Sequence, residues 1–385
     1  MAPLVLKLIR NVSLVAAVLL TVYVVYIPRE EIPESQNDDT LPIFSQDAMH
    51  LVVVACKGSK QIVQETLTML KSAVVFAQTQ VEVHLFTDEL KQNIDNELSK
   101  WPRKTKNKIN IHFYPVKYPL NPDEVSLLKN WWGPCASFRL FLPEILYNVD
   151  SVIYVDTDVI FLSAIDDLWN QMKFFKDEQV GALAPRVGWD FMVPSSNPNF
   201  ILTPEGKLTQ VNSGVFLMNL TRMRERRFNT DPSISGDTFS WNQDLLLPLY
   251  HKYKAEMNGD QNLINILFHY NPDLLYYLPC KFNYHHKFCF KNDRPGRSCL
   301  SAETEGAFVI HGSANTYYNN YSPAFGAINN AFRQYNFEND LTSSLLQPMI
   351  NNLQQPEVEN HEHCGGKTEL FTKHIRNIIE RTKLS

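Results

Sequence analysis

The chain has 385 residues, enough for one sizeable α/β domain with flanking segments, and 44% of it is hydrophobic against 20% charged, the balance of a globular protein with a real core. Its net charge of -5 comes from acids and bases mixed along the sequence, which excludes the one-signed basic face of a nucleic-acid binder. The short basic run Arg222, Arg224, Arg226 and Arg227 reads as a solvated helix face.

Residues 1–10 carry Lys7 and Arg10, and residues 11–27 then run without a formal charge. As a helix that run spans about 25 Å, near the lower limit for crossing a bilayer. It ends in Tyr26-Ile27-Pro28-Arg29-Glu30, with no small-x-small cleavage site, so it reads as an uncleaved transmembrane anchor rather than a signal peptide. The basic residues before it predict a cytosolic tail at 1–10 and a lumenal remainder. Residues 28–48 are polar and rich in Pro, Glu, Asp and Gln, a flexible stem.

A catalytic domain is expected over 49–345. The apolar run 50–56 predicts a strand, 61–76 has helical apolar spacing, and 81–88 and 109–116 predict two more strands. Residues 136–146 read as a helix, and 151–158 as a buried strand closed by two carboxylates. Strands predicted at 211–220 and 307–311 and helices at 241–253 and 260–269 complete the pattern. Strands alternating with helices imply a mostly parallel central sheet, in which ligands bind beyond the carboxyl ends of the strands. Residues 346–385 read as a polar, peripheral C-terminal tail, whose His361-Glu-His-Cys364 run resembles metal ligands by coincidence.

Six cysteines, Cys56, Cys135, Cys280, Cys289, Cys299 and Cys364, suit an oxidising lumen, and the spacing of the middle three suggests a stapled loop whose pairing the sequence leaves open. Asn219-Leu-Thr and Asn320-Tyr-Ser are glycosylation sequons, Asn320 the better placed because Asn219 ends an apolar strand.

The chemistry centres on Asp156-Thr157-Asp158. Two acids spaced by one residue after an apolar strand point to the same side. Paired hard oxygen ligands suit Mn²⁺ or Mg²⁺, ions that also bind a diphosphate. His311, ending a strand before Gly312, is a candidate third ligand.

The order Ala136–Leu146, Val155-Asp-Thr-Asp158, Val211–Asn219, Gly259–Asn265, Phe282-Asn283 and His311-Gly312 resembles glycosyltransferase family 8, a family of retaining enzymes, over about residues 50–325. Within it, the anchor, the short stem, the Trp131-Trp132-Gly133-Pro134-Cys135 segment and the ending His311-Gly-Ser-Ala-Asn-Thr-Tyr-Tyr-Asn319 look like the animal glucoside xylosyltransferase group. The resemblance implies a GT-A-type nucleotide-sugar transferase domain. It implies Asp156, Asp158 and His311 holding Mn²⁺ on the UDP diphosphate, with Gly312 beside them, and Arg139 contacting the donor. Asn212, Ser213 and Gly214 would line the donor-sugar pocket, and Asp260 and Gln261 would stand near the reacting carbon. Helix capping by Asp260 after Gly259 competes with that last assignment. Two departures stand out. Many members carry a Lys a few residues after the His, and here there is none; and Cys56-Lys57-Gly58 replaces an acidic pair common in relatives.

By the same resemblance, the activity is transfer of xylose from UDP-xylose in α1,3 linkage to O-linked glucose on EGF-like repeats, such as those of Notch. The enzyme would be a type II membrane protein of the endoplasmic reticulum or Golgi. The competing readings are a hexose donor (UDP-glucose or UDP-galactose) on the same fold, a catalytically inactive glycan-binding module, and a glycosidase.

Overall fold

The computed structural model describes residues 48–384, apart from 57, 133–134, 187–196, 204–206, 237, 258 and 290–297. The expected cytosolic tail and anchor, and the stem up to residue 47, lie outside the described residues. Among those described, no helix is long and apolar enough to cross a membrane.

Four strands, β1 (Met49–Val54), β2 (Val81–Phe86), β3 (Ile109–Tyr114) and β4 (Ser151–Val155), run parallel in the order β3-β2-β1-β4. The sheet continues through β8 (Leu208–Asn219), β6 (Gly181–Arg186) and β9 (Leu275–Tyr277), with β7 (Ile201–Leu202) paired to β8. Of these, β8 is antiparallel to β4 and β6, while β9 is parallel to β6. A second, three-stranded sheet has the order β10-β11-β5, from β5 (Val159–Phe161), β10 (Tyr284–His285) and β11 (Val309–His311).

β1 is buried along its whole length because both its faces are covered. Leu51 and Val53 alternate toward helices α1 (Lys60–Phe76) and α2 (Lys91–Ser99), meeting Met69, Leu70, Ile94 and Leu98 in one core. On the other face Phe86 packs on Phe138, and Phe216 on Phe268 and Trp241, the aromatic floor under α3 (Gln243–Tyr253) and α4 (Asp260–Tyr270).

The structure corrects three expectations. The helix expected over 136–146 is a 3-10 turn at Ala136–Phe141 followed by one α turn at Leu142–Ile145. Pro143 explains the change: in a continuous helix it would lack a donor and crowd the carbonyl of residue 139. The strand expected through Asp158 stops at Val155, and residues 156–158 form the turn by which the chain leaves the large sheet for β5 in the small one. The acids therefore converge through a turn rather than through the two-residue period of a strand.

The third correction concerns the end of the chain. Residues 346–384 are not a peripheral tail: Met349, Leu353, Leu370, Phe371, Ile375 and Ile379 belong to a second core. That core also takes Phe325, Ile328 and Phe332 of α5 (Pro323–Gln334), together with Ile160 and Ile310 of the small sheet, and α6 (Thr368–Leu384) closes it. Disulfides join Cys56 to Cys135, Cys280 to Cys299, and Cys289 to Cys364. The third ties the C-terminal segment to the residues after β10, so Cys364 is a cross-link rather than part of a metal-like run.

Candidate active site

The turn Asp156-Thr157-Asp158 sits at the carboxyl edge of β4 and is pinned by backbone on both sides. Asp156 N–H donates to Gly214 C=O at 2.9 Å, and Gly312 N–H donates to Asp158 C=O at 2.7 Å. These two bonds fix the acids between β8 of the large sheet and β11 of the small one. β11 pairs antiparallel with β5, setting His311 opposite Val159, next to Asp158. His311 Nε2 lies 3.3 Å from Asp158 Oδ1 and 3.7 Å from Asp156 Oδ2. One ligand atom from each of the three residues falls within 4.8 Å of the others, a spread a single ion can bridge.

Glycine at 214 is what admits this arrangement, because a Cβ there would overlap the His311 ring. The other ring nitrogen of His311, Nδ1, is 3.1 Å from Asn283 Oδ1. Asn283 is fully buried, and its Nδ2 donates to Asn212 Oδ1 at 2.9 Å. If Nδ1 carries the proton toward Asn283, the Nε2 lone pair is left facing the acids, the orientation a metal ligand needs. Asn212 Oδ1 also accepts from Gly214 N–H at 2.9 Å, so one short network orders Asn212, Gly214, Asn283 and His311 together.

Arg139 is the other keystone. Its helix expectation failed, but the 3-10 turn still buries it, with its guanidinium 4.6 Å over the Tyr154 ring. Nη1 donates to Ser213 C=O at 2.6 Å and meets Asp156 Oδ1 at 3.0 Å. Nε lies 2.7 Å from Asp260 Oδ2, an ion pair whose angle falls outside hydrogen-bond geometry. Asp260 occupies the first turn of α4 while the N-cap position falls on Gly259, and its carboxylate is turned to Arg139. Beside it, the Gln261 carboxamide oxygen accepts from Ser213 N–H at 3.2 Å.

Charge in the cluster is heavily mutual. Burial pushes the Asp158 carboxyl up, but His311 outweighs it and holds Asp158 below the usual carboxylate range. Burial lowers His311, and Asp158 with Asp156 raises it above an ordinary imidazole. Burial also opposes the charge on Arg139, yet Asp156 and Asp260 hold its pKa above the ordinary value. At Asp260 burial wins over Arg139 and the carboxyl sits high. The donor types and their spacing fit a hard dication.

Two cavities share Arg139, Asp156, Asp158 and Ala314 in their walls. The first, about 360 Å³, opens over the carboxyl end of β1 and is bounded by Val54, Cys56, Gln61, Glu65 and Tyr154. The second, about 340 Å³, holds Asn212, Ser213, Asp260, Gln261 and His311, with Arg186, His285, His286 and Lys287 opposite. A larger cavity of about 760 Å³ lies at the other edge of the sheet, against His50 and Asp150 at the amino ends of β1 and β4, away from the acids.

Every candidate residue named from the sequence at Arg139, Asp156, Asp158, Asn212, Ser213, Asp260, Gln261 and His311 lines the second cavity. Gly214 and Gly312 act from behind it, the first as space for His311 and the second through its amide on Asp158. Sequence reasoning passed over several residues that the fold brings in. Tyr154 donates its hydroxyl to Asp156 Oδ1 at 2.8 Å, and Glu65 accepts from Thr157 Oγ1 at 3.2 Å. Burial raises the Glu65 carboxyl. Only Asn283 carried a signal, as half of the Phe282-Asn283 pair. The sequon residues also differ: Asn320 is exposed, whereas half-buried Asn219 accepts from Arg222 N–H at 2.7 Å as a helix cap.

Residues 53–316 match the description "Glycosyl transferase family 8". Curated relatives extend the match over most of the chain. It is 40% identical to Glucoside xylosyltransferase 2 of Mus musculus, covering 86% of this chain and 72% of that protein. It is 38% identical to Glucoside xylosyltransferase 1 of Homo sapiens, covering 88% and 73%. The crystal structure of mouse Xyloside xylosyltransferase 1 aligns with a TM-score of 0.49 at 18% identity, over 70% of this chain and 99% of that one. With the family match, a mostly parallel sheet carrying an Asp-Asp-His cluster at its carboxyl edge fits a glycosyltransferase domain of GT-A type. This chain belongs to glycosyltransferase family 8.

Proposed function

We propose that the protein transfers xylose from UDP-xylose, with retention and in α1,3 linkage, to glucose O-linked on EGF-like repeats of secreted or cell-surface proteins, Notch among them. The observation that carries a donor-dependent transfer is the position of Asp156, Asp158 and His311 on the partition between two cavities of nearly equal size. A diphosphate bound at that partition has its nucleoside on one side and its sugar on the other. The choice of sugar and acceptor leans on relatives whose names specify xylose transfer to glucosides.

In this reading Asp156, Asp158 and His311 hold Mn²⁺, which when bound neutralises charge on the departing UDP. Arg139 keeps Asp156 and Asp260 at fixed positions and adds positive charge behind the diphosphate. Asn212, Ser213 and Gln261 form one wall of the sugar cavity. Retention in glycoside hydrolysis uses a carboxylate nucleophile. Asp260 is tied to Arg139 and Gln261 is an amide, so neither is a ready nucleophile. Front-face displacement fits better. The bond from C1 to the β-phosphate oxygen breaks with its electron pair on oxygen. The acceptor hydroxyl forms the new bond to C1 on the same face, and its proton goes to the departing phosphate. With no Lys following His311, phosphate contacts fall to the ion, Arg139 and backbone amides.

The uncharged run 11–27, preceded by Lys7 and Arg10, supports a type II anchor with this domain in the lumen of the endoplasmic reticulum or Golgi. The test of the donor is a side-by-side assay of UDP-xylose, UDP-glucose and UDP-galactose with Mn²⁺ and a folded, O-glucosylated EGF repeat. Xylose lacks the hydroxymethyl group of glucose, and a wall placed where that group would go rejects the larger sugar by clash. UDP-xylose is expected to lead by about a hundredfold or more in kcat/KM. Equal or faster transfer from either hexose donor removes the xylose assignment. Binding of UDP with no transfer from any donor favours a glycan-binding module.

A further inference from the structure

His285 has no part in the reading above, yet its position is the least explained in the cavity. It ends β10, in register with His311 on β11, so the two imidazoles leave the small sheet side by side. In a parallel pair, residues in register point to the same face, and His285 lines the cavity that holds Asp260, Gln261 and His311. The residue is 2% exposed, and among the described residues its buried Nε2 has no hydrogen-bond partner. Its ring packs on aromatic neighbours, Phe288 at 4.4 Å between centroids and His286 at 6.2 Å. The adjacent imidazoles are satisfied, His311 by Asn283 and His286 by Thr316.

A buried polar atom without a partner is costly and calls for an explanation. A phenyl ring at 285 would pack on Phe288 as well as imidazole does, so packing does not account for a histidine here. In the transferase reading, the group that enters this cavity is the saccharide. We propose that His285 is a sugar-binding residue of the transfer cavity, its imidazole hydrogen-bonding a ring hydroxyl of the saccharide held opposite Asp260 and Gln261. The proposal rests on the glycosyltransferase reading. A hydroxyl of this kind can come from the transferred sugar or from the acceptor glucose, and the two sources separate experimentally.

The test uses His285→Phe, which keeps the ring and its stacking but removes both nitrogens, and His285→Gln, which restores a donor and acceptor at similar reach. Transfer by His285→Phe should fall about tenfold or more in kcat/KM, the loss of one buried hydrogen bond. His285→Gln should recover to within about threefold of the unsubstituted enzyme. If the partner is on the donor, the loss appears in the KM for the UDP-sugar and persists when water replaces the acceptor in slow UDP-sugar hydrolysis. If the partner is on the acceptor, hydrolysis is unchanged, and the loss vanishes with the glucoside deoxygenated at the contacted position, as a double-mutant cycle requires. Should His285→Phe not fold, His285→Met serves as the nitrogen-free variant. Kinetics of the folded nitrogen-free variant matching the unsubstituted enzyme for both substrates overturn the proposal and leave the transferase reading intact. A loss that Gln does not rescue and that no deoxy substrate abolishes assigns His285 a packing role and also overturns it. Inactivity of the unsubstituted enzyme with every donor sinks the underlying reading instead.

Discussion

His311 reaches the acids across a position with no side chain, and the site inherits its tolerances from that contact. Any Cβ at residue 214 would overlap the imidazole, so Gly214→Ala must push the ring away from Asp158 or bend β8. We expect Gly214→Ala to cost about 1–3 kcal/mol of stability, as overpacking does, and to weaken Mn²⁺ binding far more than it lowers the Tm. Thermal melts with and without Mn²⁺ check it: a metal-dependent shift equal to that of the unsubstituted protein would contradict the geometry. Asp158→Asn keeps the shape while removing one ligand charge. Transfer should drop by about a hundredfold or more with the fold intact, and EDTA should abolish the activity of the unsubstituted enzyme. Full activity in EDTA would end the metal assignment. The sequence exposed Asp156, Asp158 and His311 as ligand types. It did not expose Tyr154 or Glu65, because a tyrosine on a strand and a glutamate on an amphipathic helix look like ordinary residues until the chain folds them against the turn.

At the scale of elements, the long strands and helices were legible because their apolar periods are regular. The failures came where a tertiary demand overrode the local pattern. Pro143 split one expected helix, and the passage between two sheets cut the expected strand at Val155. The C-terminal segment misled for another reason. Its composition is polar, but α6 buries a narrow stripe of Phe371, Ile375 and Ile379, spaced by four and facing the second core. Ending the chain after residue 346 should therefore yield insoluble or unfolded protein rather than a trimmed enzyme. Cys364→Ser, with Cys289→Ser to avoid a lone thiol, should fold but lose about 2–5 kcal/mol, since the bridge closes a separation of 75 residues. Chemical denaturation of the oxidised protein measures the difference, and an unchanged midpoint would make the bridge dispensable.

For the molecule as a whole, glycosylation reports on the compartment. Asn320 stands exposed in the turn before α5, while the Asn219 carboxamide is engaged at a helix start and near Asp150. Expressed in a secretory pathway, the protein should lose a glycosidase-sensitive mass increment with Asn320→Gln. Asn219→Gln should leave that increment and cost about 1 kcal/mol through the lost cap. No glycan on either residue would argue against a lumenal domain. The sequence by itself determined the α/β class, the family and the metal-ligand types, because those reside in local periodicity and in short motifs whose order survives along one dimension. Only the tertiary structure decided how they combine. Its crossing from the large sheet to the small one brings His311 to Asp158, its packing stacks Arg139 on Tyr154 between two carboxylates, and its pairing of β10 with β11 turns His285 into the same cavity. Those are contacts between residues as many as 155 positions apart, as with His311 and Asp156, and no local pattern encodes a distance of that kind.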